Sequence, residues 1–519
     1  VGIHILNTEL VMHDLTTDLY WKFKFSSWTS GGNGGGFSYT RQVIPQSCGI
    51  KFADGSVLNT GNISSTSAVE LYANEIYVDP VYGNDSTGLK YRIDKPFQTL
   101  IAAKNAAVSG DTIIGLSGTH YVDRSLFKPD IKYHFYTGAI IIASIYPSFL
   151  VPDTGLFSDE FSGSYKANFD VTGNANIFLY STYGCGLVKA VQNQTTMNIE
   201  FNNADCYTGA TFWSAGTKAR VFVKFNQVIE NLAYGSIVGL STDGYLNLKG
   251  RNFVVVPSTS SSLQVMDHRG GPAIDAEIDL IESYSESSWT TIVLRSGSPA
   301  YVPIVNFKGK IQHQAPNDDF MRGVLGFMDS PGVINFEGEI VTNAYAVSIY
   351  AGAGPYSNKR RINIKNSVIK QENLLDANTD TPLINANNSD NEIVISNSRL
   401  IGINKLAVVN NGHAVKFGDG GASGVVELSN VDMINACKDL FNNADMIIVE
   451  NQGVSGSKTI INKVTAYNAA TNAQYFINTS TGPQNVSIYS SFSNTANNGV
   501  SNSVVGAFEL VDSNVTLIK

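Results

Sequence analysis

A short phrase recurs along most of this 519-residue chain: apolar, polar, apolar, polar, then Gly or Asn. Its clearest copies are VNFKG at Val305–Gly309, INFEG at Ile334–Gly338 and INIKN at Ile362–Asn366. Weaker copies complete a series of eleven. Their central residues are Val171, Phe201, Phe225, Leu248, Leu280, Phe307, Phe336, Ile364, Ile395, Leu428 and Val449. Two residues before each centre every position is apolar, from Phe169 to Ile447. Two residues after it, nine of the eleven are Gly or Asn, which enter the left-handed backbone region most readily. The centres average 27.8 residues apart, 278 residues over ten intervals. A strand, a sharp bend and a return within that length suit one coil of a parallel β-helix. A single coil cannot bury its own apolar face, but stacked coils share a continuous core. At about 4.8 Å per coil, eleven coils would stack to roughly 50 Å.

Stacking predicts ladders on the outer face. Asn306, Asn335 and Asn363 fall in one column, and Lys308, Glu337 and Lys365 fall in a second with alternating charge. Lys310 lies beside Glu339 in a third. Opposite charges on neighbouring strands contribute about 0.2–1 kcal/mol each, so charge and apolar pattern support one register.

Composition agrees. About fifty Asn and 47 Gly, with only 15% charged residues, favour strands joined by turns over long helices. No run of 18 apolar residues is present for membrane insertion. Net charge is −9 with no Lys/Arg cluster, which argues against nucleic acid as a partner. Cys48, Cys185, Cys206 and Cys437 are too few and too scattered for a disulfide scaffold. Seven dispersed His show no zinc-ligand spacing, and no cofactor motif appears.

The expected organisation has three parts. Residues 1–74 form a small N-terminal β module. Trp21–Trp28 reads as a strand, Gly31–Phe37 as a flexible turn, and Phe52–Ser56 as a hairpin turn. Residues 75–455 form the β-helix, with 75–123 as its opening and capping segment. One helix is expected there over Phe97–Val108, burying Leu100, Ala103, Ala107 and Val108 and stopping at Gly110. Beyond Glu450 the phrase weakens, and residues 456–519 read as a C-terminal β cap.

The opening segment, YVDPVYGNDSTG followed by KPFQTLIAAKNAAVSGDTIIGLSGTHY, resembles that of right-handed parallel β-helix proteins of the pectate-lyase-like superfamily. The phrase Gly110–Ile113, with Gly118 and Tyr121 after it, carries the likeness. The resemblance implies an all-β, right-handed coil stack with a short capping helix. That superfamily includes pectin-degrading lyases, glycoside hydrolases, bacterial surface proteins and phage tailspikes. WKFKFSSWTSGGNGGGFSYTR and IKFADGSVLNT, before residue 75, are similar to phrases in structural proteins of tailed phages. This implies a homotrimeric spike or fibre on a virion surface. The N-terminal module would join it to other virion proteins, and its target would be a host-surface polysaccharide. A secreted polysaccharide hydrolase or lyase is the first alternative, and a purely structural fibre the second.

Candidate chemistry follows from acidic and aromatic residues. In Ala273–Tyr284, alternation places Asp275, Glu277 and Asp279 outward, about 7 Å apart along the strand. That spacing suits the two carboxylates of an inverting glycosidase, and a solvated strand face is the plain alternative. Asp318 and Asp319 lie in a polar loop, where Ca²⁺ is conceivable and a solvated turn is the simpler reading. The pattern of the superfamily's lyases is not matched, so a hydrolase is the more natural enzyme. Tyr284, Trp289 and Tyr356 sit between core phrases, where an exposed ring can stack on a sugar.

Overall fold

The computed structural model describes residues 74–145 without a break and five strands before residue 59. From residue 155 onward it describes the strands and bends of the coils, but not the longer connections between them. The chain divides into two compact units, Val1–Ala73 and Asn74–Lys519. In the first, Glu9–Asp14, Leu19–Trp28 and Phe37–Ile44 form an antiparallel sheet. Ile50–Lys51 pairs with Val57–Leu58, and the expected turn at Phe52–Ser56 lies outside the described residues.

The second unit is a parallel β-solenoid. Its strands form one 22-stranded and one 14-stranded sheet, and successive coils pair in parallel register throughout. The inward column of the first sheet runs Val171, Ile199, Val223, Leu248, Ala276, Phe307, Phe336, Ile364, Ile395, Leu428, Ile461 and Ile488. All twelve are buried. Each large apolar side chain buried this way contributes about 1.5–3 kcal/mol. Like residues stack on like: the Phe307 and Phe336 rings lie parallel, 5.6 Å apart.

This column corrects the repeat alignment. Phe201 and Phe225 are buried but lie two residues past the true centres, Ile199 and Val223. Leu280 lies four residues past Ala276 and is only half-buried. Val449 belongs to the other sheet, opposite Phe417. Any apolar-polar alternation fits the phrase at several two-residue steps, so alternation alone could not choose among them. The strands of 456–519, expected as a cap, extend the same two sheets: Lys458–Asn468 pairs with Val425–Asn435, and Ile477–Thr481 with Ile447–Glu450.

The bend between the two legs of a coil explains six of the nine Gly/Asn positions, whereas Gly250 has no positive φ and leaves room for the Phe225 ring. Asn366, Asn397 and Asn430 have φ of 51, 49 and 56°, within the left-handed well. Gly173, Gly309 and Gly338 have φ of 108, 140 and 144°, beyond what a side chain tolerates. A Cβ on Gly338 would overlap the carbonyl oxygen of Gly309, and one on Gly309 that of Ile278. Lys463 and Ser490 hold the same place in the next coils, at 53 and 46°. A serine just past the bend repairs the interrupted hydrogen bonding. Ser367 Oγ donates to Lys365 O (2.7 Å) and accepts from Gly338 N (3.0 Å). Ser398, Ser491 and Ser513 repeat the motif, accepting from Ser367 N, Val464 N and Ser491 N.

The opening segment closes the first coil. Its helix is Leu100–Ala106, shorter than expected. Phe97 instead bridges to Val78, and Thr99 caps the helix by accepting from Ala102 N at 3.1 Å. Asp85 holds the cap through Gln98 N, Thr99 N and Thr99 Oγ1. Leu100, Ala103 and Ala107 are buried, but Val108 lies past the helix and is 55% exposed.

Two predictions follow from the bends and the core. Gly338→Ala should cost about 3–4 kcal/mol, whereas Asn397→Gly should stay within about 1 kcal/mol, as read from denaturant midpoints. His313 is wholly buried beside Ser283, and burial lowers its pKa to about 4. The folded state therefore resists protonation that the unfolded chain accepts near 6.5. His313 should contribute up to roughly 3 kcal/mol above that pH, lost progressively as pH falls toward 4. In His313→Gln, that part of the acid dependence should vanish from a pH series of melting curves.

Candidate functional site

The outer face of the first leg carries a groove of about 520 Å³ across five neighbouring coils. Two columns line it, one on each side of the buried centre residues. The first runs Asn247, Asp275, Asn306, Asn335 and Asn363, and the second Lys249, Glu277, Lys308, Glu337 and Lys365. Strand alternation turns both columns outward while Ala276, Phe307 and Phe336 point into the core.

The first column is a directed chain of hydrogen bonds. Asn363 Nδ2 donates to Asn335 Oδ1, Asn335 Nδ2 to Asn306 Oδ1, and Asn306 Nδ2 to Asp275 Oδ1, each at 2.6 Å. Arg361 Nε donates to Asn363 Oδ1 at 2.8 Å, so a cation stands at one end of the amides and an anion at the other. The second oxygen of Asp275 accepts from the Tyr245 hydroxyl, which in turn accepts from Asn247 Nδ2 at 3.2 Å. Partial burial, and then the bond to Asp275, raise the Tyr245 pKa above its usual value and keep the phenol a donor.

The second column alternates charge. Lys249 Nζ lies 3.4 Å from Glu277 Oε2, with the two side chains 60% and 54% exposed. Glu277 is in register with Lys308, and Lys308 with Glu337. Past the bend, Lys310 and Glu339 pair at 3.2 Å, as the sequence implies. Such exposed pairs contribute about 0.2–1 kcal/mol each. Their larger effect is to fix which residues stand side by side.

Of the residues named from sequence, Asp275 and Glu277 come together in the groove. Asp279 does not line it: the register shifts between Ile278 and Leu280, leaving Asp279 exposed at the bend. The backbone of Tyr284 pairs with Gln314 at the strand end. Trp289, Tyr356, Asp318 and Asp319 lie outside the described residues. Tyr180 stands in a strand and stacks on Tyr207 at 5.2 Å, both partly exposed. Among the described residues, no three His, Cys, Asp or Glu gather as a metal site would require.

Sequence reading missed Tyr245, Asn247 and Lys249 as partners of this site. The signal was present. Centring that coil on Ala276 rather than Leu280 extends the charge alternation unbroken from Lys249 to Lys365. The same choice puts Asp275 beside Asn306.

Asp275 accepts from two donors, so Asp275→Ala should lower stability by about 1–2 kcal/mol, after allowance for partial exposure. Asp275→Asn, which keeps one carbonyl oxygen, should cost less. Denaturant midpoints at unchanged slope would check both.

No family model matches the chain, and neither a curated protein nor a solved structure does.

Proposed function

We propose that this protein is a virion spike or fibre component whose solenoid groove recognises a glycan on a host surface. The observation that carries the reading is the groove itself, a row of side-chain amides beside a row of charges. Primary amides present donors and acceptors together, as sugar hydroxyls do. Built on strands of a stacked sheet, these groups are held in place before a ligand arrives, which lowers the entropic cost of binding.

Binding is better supported than cleavage. A glycosidase needs one carboxylic acid free to give its proton and one carboxylate free to act on water or the sugar. Asp275 is occupied on both oxygens, and Glu277 is paired with Lys249. A hydrolase remains the second reading, because these two carboxylates do share the groove. The virion setting, the homotrimer, the right-handed stack and an attachment role for the N-terminal module rest on the resemblance of residues 1–123 to phage and pectate-lyase-like proteins. Trimerisation also agrees with exposed apolar side positions such as Tyr121, at 70% exposure, and Phe178.

Light scattering should give a solution mass near three times 55.9 kDa, and a monomer would remove the trimeric spike. A polysaccharide panel incubated with the protein should be retained without release of new reducing ends. Release that disappears in Glu277→Gln would establish the hydrolase instead. A panel left both unbound and uncut would leave only a structural fibre.

A further inference from the structure

The groove's charge pattern points to a class of glycan, an inference that rests on the glycan reading above. We infer that the groove selects a neutral, hydroxyl-rich polysaccharide and discriminates against polyanionic ones.

The lining holds three cations, Lys249, Lys308 and Lys365, against three anions, Asp275, Glu277 and Glu337. They are also interleaved. Glu277 stands between Lys249 and Lys308, and Glu337 is in register with Lys308. A uronate or sulfate brought to Lys308 would therefore meet a carboxylate one strand spacing away on either side, about 4.8 Å. What one lysine attracts, its neighbours repel. An acidic polymer would have to displace the protein's own carboxylates to bind.

The amide column has the opposite property. A primary amide has two N–H donors and two acceptor lone pairs. Asn306 and Asn335 each spend one N–H on the preceding coil and one lone pair on the following coil. Each keeps one N–H and one lone pair for a ligand. This donor–acceptor couple repeats at the coil spacing and carries no net charge. It suits hydroxyls presented at regular intervals by a polymer. A lone monosaccharide would satisfy only one coil of it.

The full-length protein would be tested on immobilised neutral hexose polymers (glucans, mannans and galactans), with polygalacturonate and heparin alongside. Retention of a neutral polymer should change little between low and high salt, because no ion pair with the ligand is formed. Asn335→Leu should weaken it about tenfold, with melting curves confirming the fold. Glu337→Gln removes the carboxylate beside Lys308, so this variant should gain affinity for polygalacturonate that falls with salt. A gain cannot arise from misfolding. A parent protein that prefers polygalacturonate or heparin, with steep loss in salt, would overturn the neutral assignment and leave glycan recognition standing. A Glu337→Gln protein no better at holding polygalacturonate than the parent would overturn the charge-cancellation argument. Retention of no polymer by any variant would overturn both this inference and the glycan reading.

Discussion

Everything in the solenoid depends on in-register stacking of equivalent residues at one strand spacing. Parallel pairing sets each residue beside its counterpart in the next coil, so each position becomes a column and is selected as one. Inward columns are apolar because any polar member would be buried against apolar neighbours that offer no hydrogen bond. Within the groove, the outward columns alternate charge or repeat amides, which avoids setting like charges side by side. The bend imposes the strictest demand. There the chain must turn without losing pairing, and Gly, Asn and a following Ser meet the conformational and hydrogen-bonding parts of that demand separately.

The inward columns and bends were legible because they repeat a chemical type over many coils. Gly173, Gly309, Gly338, Asn366, Asn397 and Asn430 all follow correctly placed centres, and all have positive φ. The misplaced centres Phe225 and Leu280 share one cause. Where a strand of eleven or twelve residues continues past its bend, as Ala273–Tyr284 does, it carries two apolar alternations in tandem. Sequence periodicity does not say which of the two stacks on the neighbouring Phe307. The helix was misjudged differently: Phe97, taken as its first residue, is held in a β-bridge, and Val108, assigned to its apolar stripe, lies beyond the cap.

The site was half legible. Asp275 and Glu277 stood out as outward acids, and Asn306, Asn335 and Asn363 as a ladder, but nothing local joined the two sets. Their meeting is a property of register across coils some thirty residues apart. It became readable only once Ala276 was seen to stack on Phe307. Asp279 was lost for a related reason: period-two alternation assumes a straight strand, and the register shift beside Ile278 ends it.

The amide ladder holds neighbouring coils together and, under the proposed reading, would present the same amides to a glycan. Its hydrogen bonds all run one way, from Arg361 through Asn363, Asn335 and Asn306 to Asp275. Dipoles aligned head to tail polarise one another, and a cation at the donor end with an anion at the acceptor end strengthens the whole row. The alignment also orients the unused half of each amide. An Asn free to flip would offer a ligand either its N–H or its oxygen; one locked into the row offers both at fixed places. Reversing the terminal charges would favour flipped amides and so reverse the pattern met by a ligand. Under the proposed glycan reading, the Arg361–Glu392 pair at one end and Asp275 at the other would set which way the amides between them face.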